Sequence, residues 1–405
     1  MQRRNFLKHL SVFPTLSLIE SLRANEDELK KNGKSAILLW MGGGPSTMDI
    51  WDLKPGAPTG GPFRPINTSG DVQICEHMPL MAKQMHNAAI IRSMSTREAD
   101  HMRGRYYMHT GYVPNPSMTH PSYGSVISHQ LQRPEVSIPK FISVGGGSMG
   151  AGFLGAKYSP FVVNSDGRIR NLEMKIDQRF YQRAYALDAI ETGFINQRRG
   201  SAAKEHQAIL KEAFGVLTSS QMDALKVAGE PENVKERYGD NSFGKGCLMA
   251  RRLVEAQVPF VEVNLGGWDN HQNIHPTLRD TKLPMLDQGM SALFEDLEQR
   301  GLIDDTVVIW MGEFSRTPRI NQNAGRDHWA RSWSVVVGGG GMNGGIAVGE
   351  TNSDGTRVET EPHTSQDVMA SVCKALGISL GTTFTSNNGR PMKIANSGKV
   401  IRELF

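Results

Sequence analysis

The chain has 405 residues, of which 39% are hydrophobic, and its formal net charge is +4. A chain of this length can bury a full core, either as one large α/β domain or as two smaller ones. No segment approaches the roughly 20 apolar residues that a membrane span requires, so we predict no membrane span. The first 24 residues carry most of the net charge, and the nearly neutral remainder argues against a nucleic-acid partner.

The first segment in chain order has the pattern of an export signal. Arg3 and Arg4 form a twin-arginine pair, and the modestly apolar run Leu10–Ile19 follows them. We interpret residues 1–24 as a twin-arginine signal segment; the alternative is a short amphipathic helix. This interpretation predicts export to the periplasm or another extracytoplasmic compartment.

From residue 35 onward the sequence predicts an alternation of strands and helices, which indicates an α/β fold. The predicted strands are Ser35–Met41, Ala88–Arg92, Lys140–Val144, Val258–Leu265, Thr306–Met311 and Trp333–Val337. The predicted helices are Met78–His86, Leu283–Leu297 and Ser365–Leu376, and the polar stretch at about 171–252 predicts a helical insertion beside the sheet. We therefore expect a doubly wound, mostly parallel sheet with helices on both faces, in a single domain over 35–405.

Polar side chains stand at the ends of three of these strands. Open α/β sheets carry their chemistry at the carboxyl ends of the strands, so we expect these side chains to converge. Carboxylates and imidazoles are the ligands that a divalent cation needs. Asp269 and His271 follow one strand, Glu313 and Arg316 follow another, and Asp327 and His328 stand just before a third.

Ordinary ion pairs are the alternative to a metal site. Asp327 could pair with Arg326 or Arg331, and Glu313 with Arg316, three residues further on. Both acids would then be structural.

An arginine near the site could bind an anionic group. The planar guanidinium of Arg316 matches the geometry of sulfate, phosphate or carboxylate, and Arg103 and Arg105 could share that role.

The chain offers several candidate nucleophiles, and the sequence does not choose between them. The candidates are Ser46 and Thr47 in the glycine-rich loop after the first strand, and Ser93, Ser95, Thr96 and His101 after the second.

Several segments of the chain together resemble a known family. They are the Arg-Arg start and residues 39–46, 267–271, 310–318 and 325–329, which read LWMGGGPS, GWDNH, WMGEFSRTP and GRDHW. The chain resembles, nearly end to end, the exported bacterial proteins of domain-of-unknown-function family 1501. That family is similar in fold to sulfatases and alkaline phosphatases. The resemblance implies a doubly wound α/β fold and a hydrolase lineage acting on sulfate or phosphate esters.

The resemblance also implies roles for individual residues. Asp269 matches the aspartate of the superfamily's first metal site, His271 approximates the histidine near it, and His328 resembles the late histidine. In the second metal site, glycine replaces the aspartate that ends the first strand, so Asp49 would have to substitute for it. The usual nucleophile of the superfamily falls near His101. The residue pattern and the resemblance together predict two sets of site residues. The predicted catalytic residues are His101, Glu313 and Arg316, and the predicted metal ligands are Asp49, Asp269, His271, Asp327 and His328.

Two functions are compatible with this pattern. The first is a metal-dependent hydrolase of sulfate or phosphate esters, in which a divalent cation polarises the ester or activates water. The second is a catalytically degenerate relative that binds a sulfated or phosphorylated glycan, or a partner protein. In both, the small-molecule partner is an anionic ester or glycan. The sequence does not distinguish zinc, calcium, magnesium and manganese, and it leaves the oligomeric state open.

Overall fold

The computed structural model describes residues 33–168, 178–196 and 219–405. The predicted signal segment, residues 1–24, lies outside the described residues, as does part of the predicted insertion at about 171–252. None of the described helices combines the length and the apolar character that crossing a membrane requires.

The strands begin just after the start of the described chain and continue almost to its end. They are β1 (Ser35–Trp40), β2 (Pro65–Asn67), β3 (Gln73–Cys75), β4 (Ala88–Met94), β5 (Phe141–Val144), β6 (Phe161–Val163), β7 (Phe260–Asn264), β8 (Thr306–Met311), β9 (Ser315–Arg316), β10 (His328–Trp329), β11 (Trp333–Gly339), β12 (Ala347–Val348), β13 (Thr383–Thr385) and β14 (Pro391–Lys393).

In the described part of the chain, one central sheet has eight strands in the order β12-β4-β11-β8-β1-β7-β5-β6. Seven of these strands run in the same direction, and β11 runs antiparallel to both of its neighbours. The three other strand pairs, β2 with β3, β9 with β10 and β13 with β14, lie outside this sheet. The prediction of a mostly parallel sheet is confirmed.

Helices cover both faces of the sheet. The described α-helices are α1 (Pro79–Ala82), α2 (His101–Thr110), α3 (Tyr123–Gln130), α4 (Gln178–Asn196), α5 (Glu232–Tyr238), α6 (Ser242–Glu255), α7 (Ile274–Thr277), α8 (Leu283–Gln299) and α9 (Ser365–Ala375). Buried side chains of α1, α5, α6 and α8 share one core, and those of α2, α3 and α9 share the other. The predicted doubly wound α/β class is therefore confirmed.

The central strand β1 shows why the sequence reads as a continuous apolar run. Ile37 and Leu39 belong to the first core, whereas Leu38 and Trp40 belong to the second. Successive side chains of a strand point to opposite faces, so a strand covered on both sides needs apolar residues at every position.

The structure differs from the sequence predictions in three elements. The predicted helix Met78–His86 is reduced to α1 and a separate 3-10 turn over Met85–Asn87. The antiparallel direction of β11 was not predicted. It arises because residues 312–332 stay at the carboxyl edge of the sheet and form the β9–β10 pair, where a parallel entry would need a crossover. Within the predicted insertion, α6 packs its buried face under the sheet, so this helix is part of the core.

Candidate functional site

The candidate site lies at the carboxyl edge of the sheet, where the loops after four parallel strands meet. β1, β4, β7 and β8 end at this edge, and β11 begins there because it runs in the opposite direction. The pairing of β9 with β10 places Arg316 opposite His328. This short antiparallel pair joins the segment after β8 to the segment before β11, which are separated in the sequence.

Two glycines allow these segments to approach each other closely. Gly43 has a φ of +114°, and a Cβ at this position would lie 2.6 Å from the backbone nitrogen of Asp269. A Cβ at Gly104, within α2, would lie 3.1 Å from the Phe314 ring and 3.2 Å from the Glu313 carbonyl oxygen. Any larger residue would separate the β1 loop from the β7 loop, or α2 from the β8 loop.

Three side chains form a cluster with the spacing of a metal site. His101, Asp269 and His328 each offer one ligand atom, and these atoms lie within 4.8 Å of one another. Nε2 of each histidine is 3.3 Å from a carboxylate oxygen of Asp269. Asp100 caps α2 by accepting a hydrogen bond from the backbone N–H of Arg103 at 3.0 Å, so the helix begins at His101. The cap therefore sets where the His101 ring enters the site.

In both histidines of the cluster, Nδ1 is the ring nitrogen away from Asp269, and it makes a hydrogen bond to an oxygen acceptor. Nδ1 of His328 lies 2.9 Å from the carbonyl oxygen of Ala99, and Nδ1 of His101 lies 2.7 Å from Oε1 of Glu313. Because a carbonyl or carboxylate oxygen only accepts, Nδ1 carries the proton in both rings. In the neutral rings, the lone pair is then on Nε2, the ring nitrogen that lies beside Asp269.

This arrangement fits a divalent metal. Histidines that bind metals almost always donate their other ring N–H to a carboxylate or a carbonyl, which fixes the tautomer. Nε2 of His101 is buried and has no hydrogen-bond partner among the described residues. Two lone pairs facing a carboxylate repel it unless protons or a metal ion lie between them, and two imidazoles with one carboxylate form a common zinc donor set.

Arg316 holds Asp269 from the other side. Its Nη2 donates a hydrogen bond to Oδ1 of Asp269 at 2.6 Å, and the guanidinium is buried. Partial burial by itself raises the pKa of Asp269, but the hydrogen bond and charge of Arg316, together with His101 and His271, lower it to about 2. Asp269 is therefore ionised and can serve as a ligand at any physiological pH.

Glu313 lies beneath the cluster and touches two of the segments that build it. Its carboxylate is buried, and Oε1 accepts hydrogen bonds from Nδ1 of His101 and, at 2.9 Å, from the backbone N–H of Gly43. The hydrogen bond to Glu313 raises the pKa of His101, although burial opposes it. Glu313 was predicted to pair with Arg316 if it were only structural; its observed partners are His101 and Gly43.

Two of the predicted metal ligands, His271 and Asp327, pair with each other. Nδ1 of His271 donates to Oδ1 of Asp327 at 2.7 Å, and the same oxygen accepts from Nδ2 of Asn321 at 3.2 Å. The hydrogen bond from His271 lowers the pKa of Asp327. Nε2 of His271 then faces the site, 2.9 Å from Oδ1 of Asp269. The structure brings both residues to the site, with Asp327 behind His271.

Asp49, the remaining predicted metal ligand, lies apart from this cluster. Its buried carboxylate pairs with Arg326, whose Nε and Nη2 donate to Oδ2 and Oδ1 at 2.8 and 2.9 Å. Oδ2 also accepts from Ser46 Oγ at 2.6 Å, and Oδ1 lies 3.2 Å from Nε2 of His275. Burial by itself raises the pKa of Asp49, but the hydrogen bonds and charges of His275 and Arg326 lower it. Asp49 is therefore not part of the cluster of His101, Asp269 and His328.

Sequence reasoning missed the support that surrounds the cluster. The carbonyl of Ala99 is a backbone group, and no side-chain pattern could have singled it out. Arg326 was considered only as a partner for Asp327, but its guanidinium binds Asp49 and the carbonyl oxygens of Thr317 and Pro318. In the sequence, Arg326 stands between Gly325 and the pair Asp327-His328. No residue near it indicates a contact with Asp49, which is 277 residues away.

The chain belongs to the family described as protein of unknown function, DUF1501, whose match covers residues 33–405. Among curated proteins, none matches this chain.

The chain is also similar to several solved structures. One is a protein in the alkaline phosphatase superfamily from Vibrio parahaemolyticus, at 11% sequence identity and a TM-score of 0.37, covering 91% of this chain and 69% of that one. A second is the PsFucS1 sulfatase from Pseudoalteromonas sp., at 12% identity and a TM-score of 0.37, covering 91% and 72%. A third is the alkaline phosphatase from the Antarctic bacterium TAB5, at 14% identity and a TM-score of 0.33, covering 80% and 96%.

Proposed function

We propose that the protein is a metal-dependent hydrolase of sulfate or phosphate esters, with His101, Asp269 and His328 as the metal ligands. The observation that carries this proposal is the pair of hydrogen bonds from Nδ1 of the two histidines to Glu313 and to the Ala99 carbonyl. In the neutral rings they leave the lone pair on Nε2, and each Nε2 lies 3.3 Å from an oxygen of one ionised carboxylate. In the neutral rings, these two nitrogens can each offer a lone pair to a metal ion that Asp269 also binds.

The donor set indicates which metals fit. Two imidazole nitrogens and one carboxylate oxygen suit zinc or another first-row transition metal better than magnesium or calcium, which prefer oxygen ligands. When bound, a divalent ion there would supply positive charge that stabilises the developing negative charge on the ester group.

The residues around the cluster have separate roles in positioning its members and in proton transfer. Arg316 holds Asp269 in place through a buried hydrogen bond of 2.6 Å. Asp327 fixes the tautomer of His271, so that Nε2 of His271 faces the site. His271 is therefore placed to accept a proton from an attacking water at Nε2, or to donate one to the leaving group.

The experiment that tests the proposal is metal analysis of the purified protein together with a screen of aryl sulfates and aryl phosphates. We expect about one transition-metal ion per chain and turnover of one of the two ester classes, lost on chelation and restored by the metal. Protein without metal or turnover would contradict the proposal.

Bound metal without turnover would favour the alternative, a relative that binds an anionic glycan without hydrolysing it. One observation supports keeping this alternative. The hydroxyl groups of Ser46 and Thr47, two candidate nucleophiles, are buried and engaged by Asp49 and Ser315. A hydrolase would then have to use water or one of the other candidates, Ser93, Ser95 and Thr96, because Nδ1 of His101 is protonated and its Nε2 is assigned to the metal.

Substitution of Glu313 tests the support of the metal centre. Replacing Glu313 with Ala removes the acceptor for Nδ1 of His101, so the ring loses its fixed tautomer and orientation. We expect metal affinity to fall about 10- to 100-fold. Titration of the metal-free variant with zinc would measure this. Glu298→Ala, which removes a half-exposed partner of His86, is the control and should bind zinc as the native protein does. Unchanged affinity in Glu313→Ala would contradict the proposed ligand role of His101.

Export by the twin-arginine route is a separate proposal, supported only by the sequence. Replacing Arg3 and Arg4 together with Lys keeps the charge but removes the arginine pair, so we expect the protein to remain in the cytoplasm. Cell fractionation of the full chain would measure this, with Arg23→Lys as the control. Equal export of the double variant would contradict the proposal.

A further inference from the structure

The sequence predicted that Arg316 binds an anionic group. Its guanidinium is committed to the protein itself. Nε donates to the carbonyl oxygen of Gly44 at 2.7 Å, and Nη2 donates to the carbonyl oxygen of Gly43 and to Asp269. Nη1 lies 3.4 Å from Nε2 of His271. Arg316 therefore positions Asp269 and the glycine loop, and an anionic ligand needs another cation.

The two other arginines that could share this role differ in their partners. Arg103 forms a two-pronged ion pair with Glu98, through Nε at 2.6 Å and Nη2 at 3.1 Å. The side chain of Arg105 has no hydrogen bond or ion pair with any residue that the structure describes, and its Nε is buried without a partner. Buried donors in folded proteins are almost always paired, so the buried Nε of Arg105 without a partner calls for an explanation.

Arg105 lies on the same helix as His101, a member of the cluster. It follows His101 by four residues on α2, and residues four apart lie on the same face of a helix. At the other end of its side chain, Nη2 faces the turn after β5, because a Cβ on Gly147 would lie 3.0 Å from Nη2. The same Cβ would lie 3.3 Å from Oδ1 of Asn264, the last residue of β7. The guanidinium therefore lies at the end of the strand that leads to Asp269.

The turn beside Arg105 carries no side chains that could fill this space. Gly145, Gly146 and Gly147 have φ values of +85°, +76° and +89°, which L-residues with a side chain rarely adopt. Three consecutive glycines in this conformation keep the guanidinium open to a ligand.

A buried acid, Glu262, lies near the same turn, but its hydrogen bonds and ion pairs with the described residues do not include Arg105. Glu262 accepts hydrogen bonds from Ser148 Oγ and, at 3.3 Å, from Nδ2 of Asn264. Its Oε1 also lies 3.4 Å from Nε2 of His109. Ser148, Asn264 and His109 engage this carboxylate, so it occupies none of the hydrogen-bond donors of Arg105.

We propose that Arg105, beside the Gly145–Gly147 turn and Asn264, binds the oxyanion of the ligand, a sulfate or phosphate group, next to the His101–Asp269–His328 cluster. A guanidinium can donate two parallel hydrogen bonds to two oxygens of such a group. The placement beside the cluster rests on the proposed function, whereas oxyanion binding itself does not require turnover. Arg105 is then the residue that selects anionic substrates, and Arg316 is a positioning residue.

The test is calorimetric binding of inorganic sulfate and inorganic phosphate to the full chain, with its metal present and after chelation. We expect the native protein to bind at least one of these anions, and the tighter one to identify the ester class. Arg105→Gln should weaken that binding about 10- to 100-fold, the range for loss of charge-assisted hydrogen bonds. Arg103→Gln, the matched control two residues away, should bind within about twofold of the native protein, because its partner Glu98 lies outside the proposed anion site.

Several results would overturn the proposal: no binding of either anion by the native protein, unchanged binding in Arg105→Gln, or equal weakening in Arg103→Gln. Binding that chelation abolishes but Arg105→Gln retains would assign the anion to the metal alone, which overturns this proposal and leaves the hydrolase proposal standing. Anion binding that depends on Arg105, in a protein without turnover, would support the proposed anion site and contradict the hydrolase proposal. If Arg105→Gln fails to fold, Arg105→Lys, which keeps the charge and loses the paired donors, should still bind measurably more weakly than native.

Discussion

Replacing Asp269 with Asn should abolish metal binding and any hydrolysis that depends on it. Among the described residues, Asp269 is the one carboxylate that lies within 3.3 Å of Nε2 of both His101 and His328. Asn keeps the shape but removes the negative charge, so a divalent cation would be held by two neutral rings and an amide. We expect metal affinity to fall by more than about 100-fold, beyond the loss expected for a group that only supports a ligand. Metal content after gel filtration, with circular dichroism to check folding, would measure this.

Asp327→Asn is the informative control for this substitution. Asp327 was also predicted as a ligand, but its oxygen Oδ1 binds His271 and Asn321. If it acts only by orienting His271, its variant should keep the metal and lose turnover, seen as a lower kcat with metal content unchanged. Loss of metal in Asp327→Asn would show that His271 and Asp327 belong to the centre, as the sequence predicted. Full metal content in Asp269→Asn would exclude the proposed centre altogether.

The second large effect should be on stability. Asp49 and Arg326 are both buried, and two hydrogen bonds of 2.8 and 2.9 Å join them. Asp49→Asn leaves the guanidinium buried without its counter-charge, which typically destabilises a protein by about 3 to 5 kcal/mol. Urea unfolding would measure the change. Asp280→Asn, which removes the exposed partner of Arg279, is the matched control and should leave the free energy of unfolding nearly unchanged.

The difference in the free energy of unfolding between the native protein and Asp49→Asn should decrease as the pH falls. The pKa of Asp49 in the folded protein is lowered below the reference value of 3.8 by His275 and Arg326, against the effect of burial. A carboxylate with a lowered pKa stabilises the fold fully above its unfolded pKa and loses that contribution as the pH falls through its folded pKa. The free energies of unfolding of native protein and Asp49→Asn should therefore differ most near neutral pH and converge below about pH 4. A gap that stays constant down to the acid transition would contradict this account of the pair.

The pair also explains how the segment before β11 is held. Arg326 precedes Asp327 and His328 in the chain, and its guanidinium ties that segment to Asp49 in the loop after β1 and to the carbonyl oxygens of Thr317 and Pro318. Asp49 therefore supports the cluster from a distance. The sequence resemblance placed it at a second metal site, where a substitute for a missing aspartate was needed; the structure pairs it with an arginine.

Much of the fold could be predicted from the sequence, because strands covered on both faces need apolar residues at every position. β1 and β8 were predicted within one residue of their observed ends, as continuous apolar runs. The position of Asp269 and His328 relative to their strands also indicated that they would lie at one edge. These are local properties, since the apolar pattern of each strand and the polar residues near its end lie close together in the sequence.

Other features depended on contacts between distant segments. Arg326 and Asp49 are 277 residues apart, and nothing near either residue specifies the other. The direction of β11 depended on a connection that stays at one edge of the sheet, which apolar periodicity does not record. Arg103 and Arg105 look equivalent in the sequence, and only the packing of α2 gives one of them the partner Glu98 and leaves the other without any partner among the described residues.

The sequence by itself determined the class of fold, the family resemblance and the acids and histidines from which a site could be built. The tertiary structure decided which of them meet, which nitrogen of each histidine faces the carboxylate, and which arginine remains open to a ligand. The physical reason is that strand and helix patterns arise from neighbouring residues. Hydrogen-bond partners and buried charges are set only when segments far apart in the chain close on one another.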